Sequence, residues 1–217
     1  MNTPHSWTGF YQELADKLLA YRNDRQTLIS MLSDVYTRIG MRLPKLEADE
    51  LNDIDPFTVF GLFNKGITDA NRQKIIAGIA EVFSVGADRP TDFEGIPVLN
   101  NLNATFYAFT NDERRDEHDI DNLWRVFEAE LALAADDSEE NHKAFVEAFD
   151  ATVTQFTLGW KLTMGSFLGK ALQLHQPRLA QPLALGRRRK GWRYHRWHRP
   201  KGKGLADSRW RTLPRHM

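Results

Sequence analysis

"DPFTVFGLFNKGITDANRQKIIAGIAEVFSVG", Asp55 to Gly86, decides the fold class. Asp55 and Pro56 read as the N-cap and first residue of a helix. An aspartate oxygen can accept a free N–H at a helix start, and proline has no N–H to leave unpaired there. Phe57, Phe60 and Phe63 follow at three-residue steps as one aromatic stripe, and the helix is expected to stop near Gly66. Thr68 then caps a second helix in which Ile75, Ile79 and either Val82 or Phe83 face inward. Two capped amphipathic helices across a short turn give a helix-turn-helix unit, with none of the alternation a half-buried strand needs.

The same periodicity extends both ways. Trp7, Phe10, Leu14, Leu18 and Tyr21 line one helix face between Ser6 and Asn23. Leu28, Met31, Leu32, Val35 and Ile39 repeat the pattern, and Gly40 is a natural stop. The proline-containing "MRLPKLEADELNDID" connects this pair to Asp55. Beyond Gly86, "ADRPTDFEGIPVLNNLNATFYAF" is rich in Pro, Gly and Asn and reads as irregular, ending at most in one short strand or helical turn. From Asp119, "DIDNLWRVFEAELALAAD" sets Ile120, Leu123, Trp124, Phe127 and Leu131 on one side, and Ser138 opens a last helix through "EENHKAFVEAFDATVTQF". The expected architecture is mainly α: about six helices with long irregular connections over residues 1–165.

After Gly165 the periodicity vanishes. Residues 166–217 hold 14 of the 29 Lys and Arg and only one of the 29 acids, Asp207, leaving 15 bases against 28 acids upstream. A tail of this composition buries too little apolar surface to offset its ordering entropy and is expected to be a disordered basic tail. The chain has no cysteine, which excludes disulfides, thiolate zinc sites and a cysteine nucleophile and suits a reducing cytoplasm. No stretch is long and apolar enough to span a bilayer and no basic start precedes an apolar run, so the expected location is cytoplasmic, without a membrane partner.

Few motifs carry chemistry. "MGSFLGKA", Met164 to Ala171, has glycines and a lysine, but three residues separate Gly165 from Gly169 and Ala171 follows Lys170, so it is not a Walker A loop. "NDERRDEHDID", Asn111 to Asp121, gathers carboxylates around His118; a hard-cation or acid–base site competes there with an exposed loop whose Asp119 and Asp121 complement a helix N-terminus. His195 and His198 have cations around them and no acidic partner for a metal. No catalytic, cofactor-binding or metal-binding residues are expected. Phe57, Phe60, Phe63, Trp124 and Phe127 would serve base stacking or, as their helical spacing favours, core packing. In "FNKGITDANR", Asn64, Lys65, Asn71 and Arg72 surround a helix break where N–H groups and cations would meet a nucleic-acid phosphate; a plain helix-turn-helix junction explains them equally.

Four blocks in order, "DIDPFTVFGLFNKGITDANR" (Asp53–Arg72), "PTDFEGIPVLNN" (Pro90–Asn101), "DIDNLWRVFE" (Asp119–Glu128) and "KLTMG" (Lys161–Gly165), resemble the N-terminal region of McrB-type proteins. These are the AAA+ NTPase subunits of modification-dependent, 5-methylcytosine-specific restriction systems. The likeness covers residues 6–165. In that family "LTMG" leads into a string like "LFWI.P" and then "LNLDSRNRW", whereas here "SFLGKALQLHQPRLAQPLA" follows. Written as degenerate codons and regrouped one base later, Ser166 onward permits "LFWVRPYNSINLDSRNRW" over eighteen positions. The tail is therefore expected to be an out-of-frame reading beginning at or beside Ser166, to be set aside from fold reasoning.

The resemblance implies a truncated N-terminal module, not itself an enzyme, that recognises or docks on DNA. GTP or ATP with Mg, a McrC-like endonuclease subunit and homo-oligomer assembly would belong to the intact protein with its motor. Two alternatives stand beside it. One is a free-standing nucleic-acid-binding protein whose basic tail carries Trp192, Tyr194 and Trp197 for stacking. The other is a structural helical domain for oligomerisation or regulation.

Overall fold

The computed structural model describes residues 6–42, 52–96, 98, 105–106 and 116–155. Among the described residues there are six α-helices and no strand, as the periodicity predicts: α1 Thr8–Leu18, α2 Arg25–Arg38, α3 Pro56–Gly61, α4 Asp69–Val82, α5 Asp119–Ala135 and α6 Glu139–Val153. A 3₁₀ turn, Leu19–Tyr21, extends α1. All six lie in one compact unit, Met1–Arg178; the second unit, Leu179–Met217, lies outside the described residues, as do the basic tail and the expected boundary at residue 165. No helix among the described residues is long and apolar enough to cross a membrane.

The helix starts follow their caps. Asp55 Oδ1 accepts from Thr58 N at 2.9 Å, Thr68 Oγ1 from Asn71 N at 3.3 Å and Ser138 Oγ from Asn141 N at 3.3 Å. Gly40 ends α2 with φ of +64°, a left-handed conformation that glycine adopts without a Cβ penalty. Gly78, inside α4, answers a different constraint: a Cβ there would lie 2.9 Å from Ile39 Cγ2 and 3.0 Å from Val35 Cγ1, so α2 packs against bare backbone. One expectation is corrected. α3 ends at Gly61 rather than near Gly66, because Leu62 N is shared between Thr58 O and Val59 O, Phe63 N turns to the i−3 carbonyl of Phe60, and the carbonyls of Phe63 and Lys65 are claimed by Arg72 of α4.

The aromatic stripe is core. Phe57, Phe60, Phe63, Trp124 and Phe127 are all buried, and Tyr11 from α1 stacks on Phe60 with centroids 5.6 Å apart and meets Phe63 edge-on at 5.4 Å. Of the two candidates for the third inward position, Phe83, just past the end of α4, is buried, whereas Val82 is only partly covered. Trp124 joins three elements: its Nε1 donates to Ile54 O at 3.0 Å, its ring meets Phe127 edge-on, and the Arg25 guanidinium lies 5.8 Å over it. Arg25 also pairs with Asp53 at 2.8 Å and with Asp121, tying the start of α2 to the start of α5. α5 and α6 form an antiparallel pair closed by Asn141, whose Nδ2 donates to Asp136 O at 2.8 Å.

Glu130 of α5 is the discordant member of this core. It is buried with no hydrogen-bond or ion-pair partner among the described residues, and burial pushes its carboxyl up to about 8. The folded chain therefore keeps this proton between its ordinary value near 4.5 and about 8, while the unfolded chain has lost it. Stability falls as pH rises through that window and levels off above it. Glu130→Gln should match the native chain below the window and be more stable above it by about 2–4 kcal/mol; urea unfolding at a series of pH values measures the difference, and parallel curves would refute the assignment.

Candidate functional site

The break between α3 and α4 holds three of the four residues expected to meet phosphate turned inward. Arg72 is 4% exposed. Its Nε donates to Phe63 O at 2.9 Å, one terminal nitrogen to Lys65 O at 3.0 Å and the other to Asp69 Oδ1 at 2.5 Å. The guanidinium lies 5.0 Å over the Phe93 ring. Its planar fork thus caps two carbonyls that no helix continues to satisfy, and its burial turns it away from a DNA phosphate. Asn64 is also buried, its Oδ1 accepting from Tyr11 Oη at 2.6 Å. Burial raises the Tyr11 phenol well above its ordinary range, so it stays a donor. Lys65 is 9% exposed, while Asn71, the fourth, is half-buried in the first turn of α4 with its N–H given to Thr68. The junction reading accounts for Asn64 and Arg72.

The cations that do face solvent nearby went unremarked in the sequence. Lys74 of α4 and Arg89 of the following loop are exposed and make no ion pair among the described residues. Gln73 Nε2 donates to Thr91 O at 3.3 Å, which brings the first turns of α4 alongside that loop. The loop is held from the other side by Glu13 of α1, whose two oxygens accept from Gly86 N at 2.8 Å and Ala87 N at 2.7 Å. Those two N–H groups hold the Glu13 carboxyl below its ordinary range. Trp7 Nε1 adds a bond to Glu94 O at 3.1 Å.

A concavity of about 490 Å³ opens where α5 begins and α6 ends, lined by Asp116, His118, Asp121, Asn122, Arg125 and Gln155, with Asp119 and Ala151. It is the described part of the acidic stretch considered as a cation site. Residues 111–115 lie outside the described residues. Among the described residues no group of three potential metal ligands comes together. Asp119 and Asp121 are the acids of the first turn of α5, as the loop reading expects, but Asp119 is buried rather than exposed and accepts from Asp116 N at 3.1 Å, ahead of the helix. "MGSFLGKA", His195 and His198 fall outside the described residues.

A family model described as "Domain of unknown function (DUF8425)" matches residues 7–172. The chain belongs to that family. No curated protein and no solved structure matches it. The DUF8425 match takes in the six described helices, the break at 64–72 and the concavity between α5 and α6, and it leaves out the basic stretch from Gly186.

Since Arg72 caps buried carbonyls, removing it should strand them. Arg72→Met is expected to lower the unfolding free energy by about 3 kcal/mol or more in urea titration. A loss below about half that would mean that the break is held by other contacts.

Proposed function

We propose that this DUF8425 chain is the N-terminal DNA-recognition or docking module of a McrB-like restriction-system NTPase, working in the cytoplasm and inactive as an enzyme by itself. The observation that carries this is the codon regrouping. Eighteen consecutive positions from Ser166 admit the family's continuation directly after four ordered family blocks, although each shifted triplet permits only a few residues. On this reading residues 166–217 are an out-of-frame product. A Walker A motor, with its GTP or ATP, Mg, endonuclease partner and oligomer, belongs to the frame that Ser166 leaves.

Supporting geometry lies at the α4 edge. The first 165 residues are net acidic, with 15 bases against 28 acids, which disfavours binding DNA over the whole surface. A restricted contact is consistent with that balance. Lys74, Arg89 and Asn71 are exposed or half-exposed beside the start of α4, where backbone and cations together suit a phosphate.

Sequencing the gene across codons 160–217 and onward tests the first half: one inserted or two deleted bases beside codon 166 are expected, with an NTPase frame downstream. A single intact frame with no such neighbour would overturn it. For the second half, duplex binding is measured in the full chain with its tail cations between Arg187 and Lys203 replaced by Gln. Charge reversal at Lys74 and Arg89 should then weaken binding and reduce the salt slope by about two ions. Loss of all binding on neutralising the tail alone would favour the free-standing tail-driven binder instead.

A further inference from the structure

One surface carboxylate of this fold sits where an outside anion could sit. Gly86 N donates to Glu13 Oε1 at 2.8 Å and Ala87 N to Glu13 Oε2 at 2.7 Å, while Lys17 Nζ stands 3.4 Å from Oε1. Two successive backbone N–H groups and an ammonium thus converge on one pair of oxygens, the donor arrangement of a backbone anion nest. The space they share is open once the carboxylate is taken away. Among the described residues, chain neighbours aside, only the two Glu13 oxygens lie within 4 Å of the place where a Cβ would stand at Gly86, at 3.7 and 3.8 Å. Gly86 is itself exposed, and the Glu13 and Lys17 side chains are 34% and 33% exposed.

Asp55, which also accepts from a backbone N–H, is wholly buried and shares its oxygens with Thr58, so no solute reaches it. Glu13 differs in that both it and Gly86 already face solvent. Its carboxylate can turn into water about its own side-chain bonds, leaving the two amides and Lys17 as free donors. These donors favour negative charge even beside another acid. Burial and the Glu13 charge raise the Asp16 carboxyl, yet the Gly86 and Ala87 N–H groups hold the Glu13 carboxyl below its ordinary range. Two exposed cations without an ion pair among the described residues belong to the same loop and the helix beside it. Arg89 follows Ala87 by two residues, and Lys74 of α4 adjoins Gln73, which reaches Thr91. A phosphate brings more charge and a third acceptor oxygen to such a neighbourhood than a carboxylate does.

We infer that the Gly86 and Ala87 amides and the Lys17 ammonium form a phosphate-binding site that Glu13 holds shut in the free chain. The phosphate would belong to a nucleic-acid backbone or to a free phosphate compound; the chemistry of the site is the same, and it does not depend on the restriction-system reading.

The test melts the full chain, its Glu13→Ala variant and its Asp16→Asn variant in inorganic phosphate and in chloride of equal ionic strength. Asp16→Asn loses a neighbouring charge but frees no amide. Glu13→Ala should gain about 3 °C or more in phosphate beyond what phosphate adds to the native chain or to Asp16→Asn. Equal increments in all three would overturn the site. Glu13→Gln keeps an acceptor at the loop and serves if the alanine variant does not fold. Its Gly86 and Ala87 amide resonances should move saturably with phosphate and stay still with chloride, and no movement refutes the proposal. A short duplex settles the source. If the phosphate is a nucleic acid's, Glu13→Gln should bind the duplex at least about threefold more tightly than Asp16→Asn does, with both amides shifted in the complex. Equal affinities and unmoved amides, alongside a phosphate increment confined to Glu13→Ala, reject the nucleic-acid source and assign the site to a free phosphate compound.

Discussion

The Arg72 guanidinium is the contact on which the packing around α3 depends. α3 is only six residues long and ends in the core, so the carbonyls that follow it have neither a continuing helix nor water to satisfy them. Arg72 reaches back from α4 to take Phe63 O and Lys65 O and lies over Phe93. This holds the buried entry to the turn, Phe63 to Lys65, against α4, while Gly66 and residues 68–70 face solvent. With the break anchored, Phe60 and Phe63 stand against Tyr11 of α1, and Phe57 stands against Phe127 of α5, 5.6 Å apart and edge-on. One basic side chain thereby fixes three other helices relative to α4.

Around that anchor the same device recurs: a polar side chain pairs with backbone that has no regular partner. Asp55 is wholly buried, accepts from Thr58 N at 2.9 Å and from Thr58 Oγ1 at 2.5 Å, and Thr58 Oγ1 in turn accepts from Phe106 N at 3.0 Å. Burial raises the Asp55 carboxyl to about 6 in spite of these bonds. Glu13 does the same for Gly86 and Ala87, and Trp124 for Ile54. A helical domain with long irregular connections needs such contacts, because loops that cross a core bring unpaired N–H and C=O groups with them. Among the described residues, Lys65 and Glu130 are buried side chains for which no such partner is present.

Much of the fold was legible because caps and periodicity are local. Asp55–Pro56, Thr68, Ser138 and Gly40 each act over three or four residues, and the structure uses them where the sequence places them. The end of α3 was not legible, since it is decided by Arg72, nine residues from Phe63. Charge in the sequence told of a cation at position 72 but not which way it faces, and burial inverted the meaning of Asn64 and Arg72. Glu13 and the Trp124 N–H left no local signature because their partners lie 70 or more residues away. Gly78 looked like an ordinary weak point in a helix, and only the closeness of Val35 and Ile39 explains it. The exposed Lys74 and Arg89 were two unremarkable bases until Gln73 and Thr91 brought their segments together.

The central claim is that Asn64, Lys65 and Arg72 turn inward and make the α3–α4 break a rigid junction. Native-state hydrogen exchange of the Asn64 and Arg72 amides tests it most directly; these donate to Phe60 O at 2.8 Å and Thr68 O at 3.0 Å. Both amides are expected to exchange only through global unfolding, with the same opening free energy as core amides of α5. Exchange of either amide at the rate of a fraying surface loop, while α5 stays protected, would contradict it.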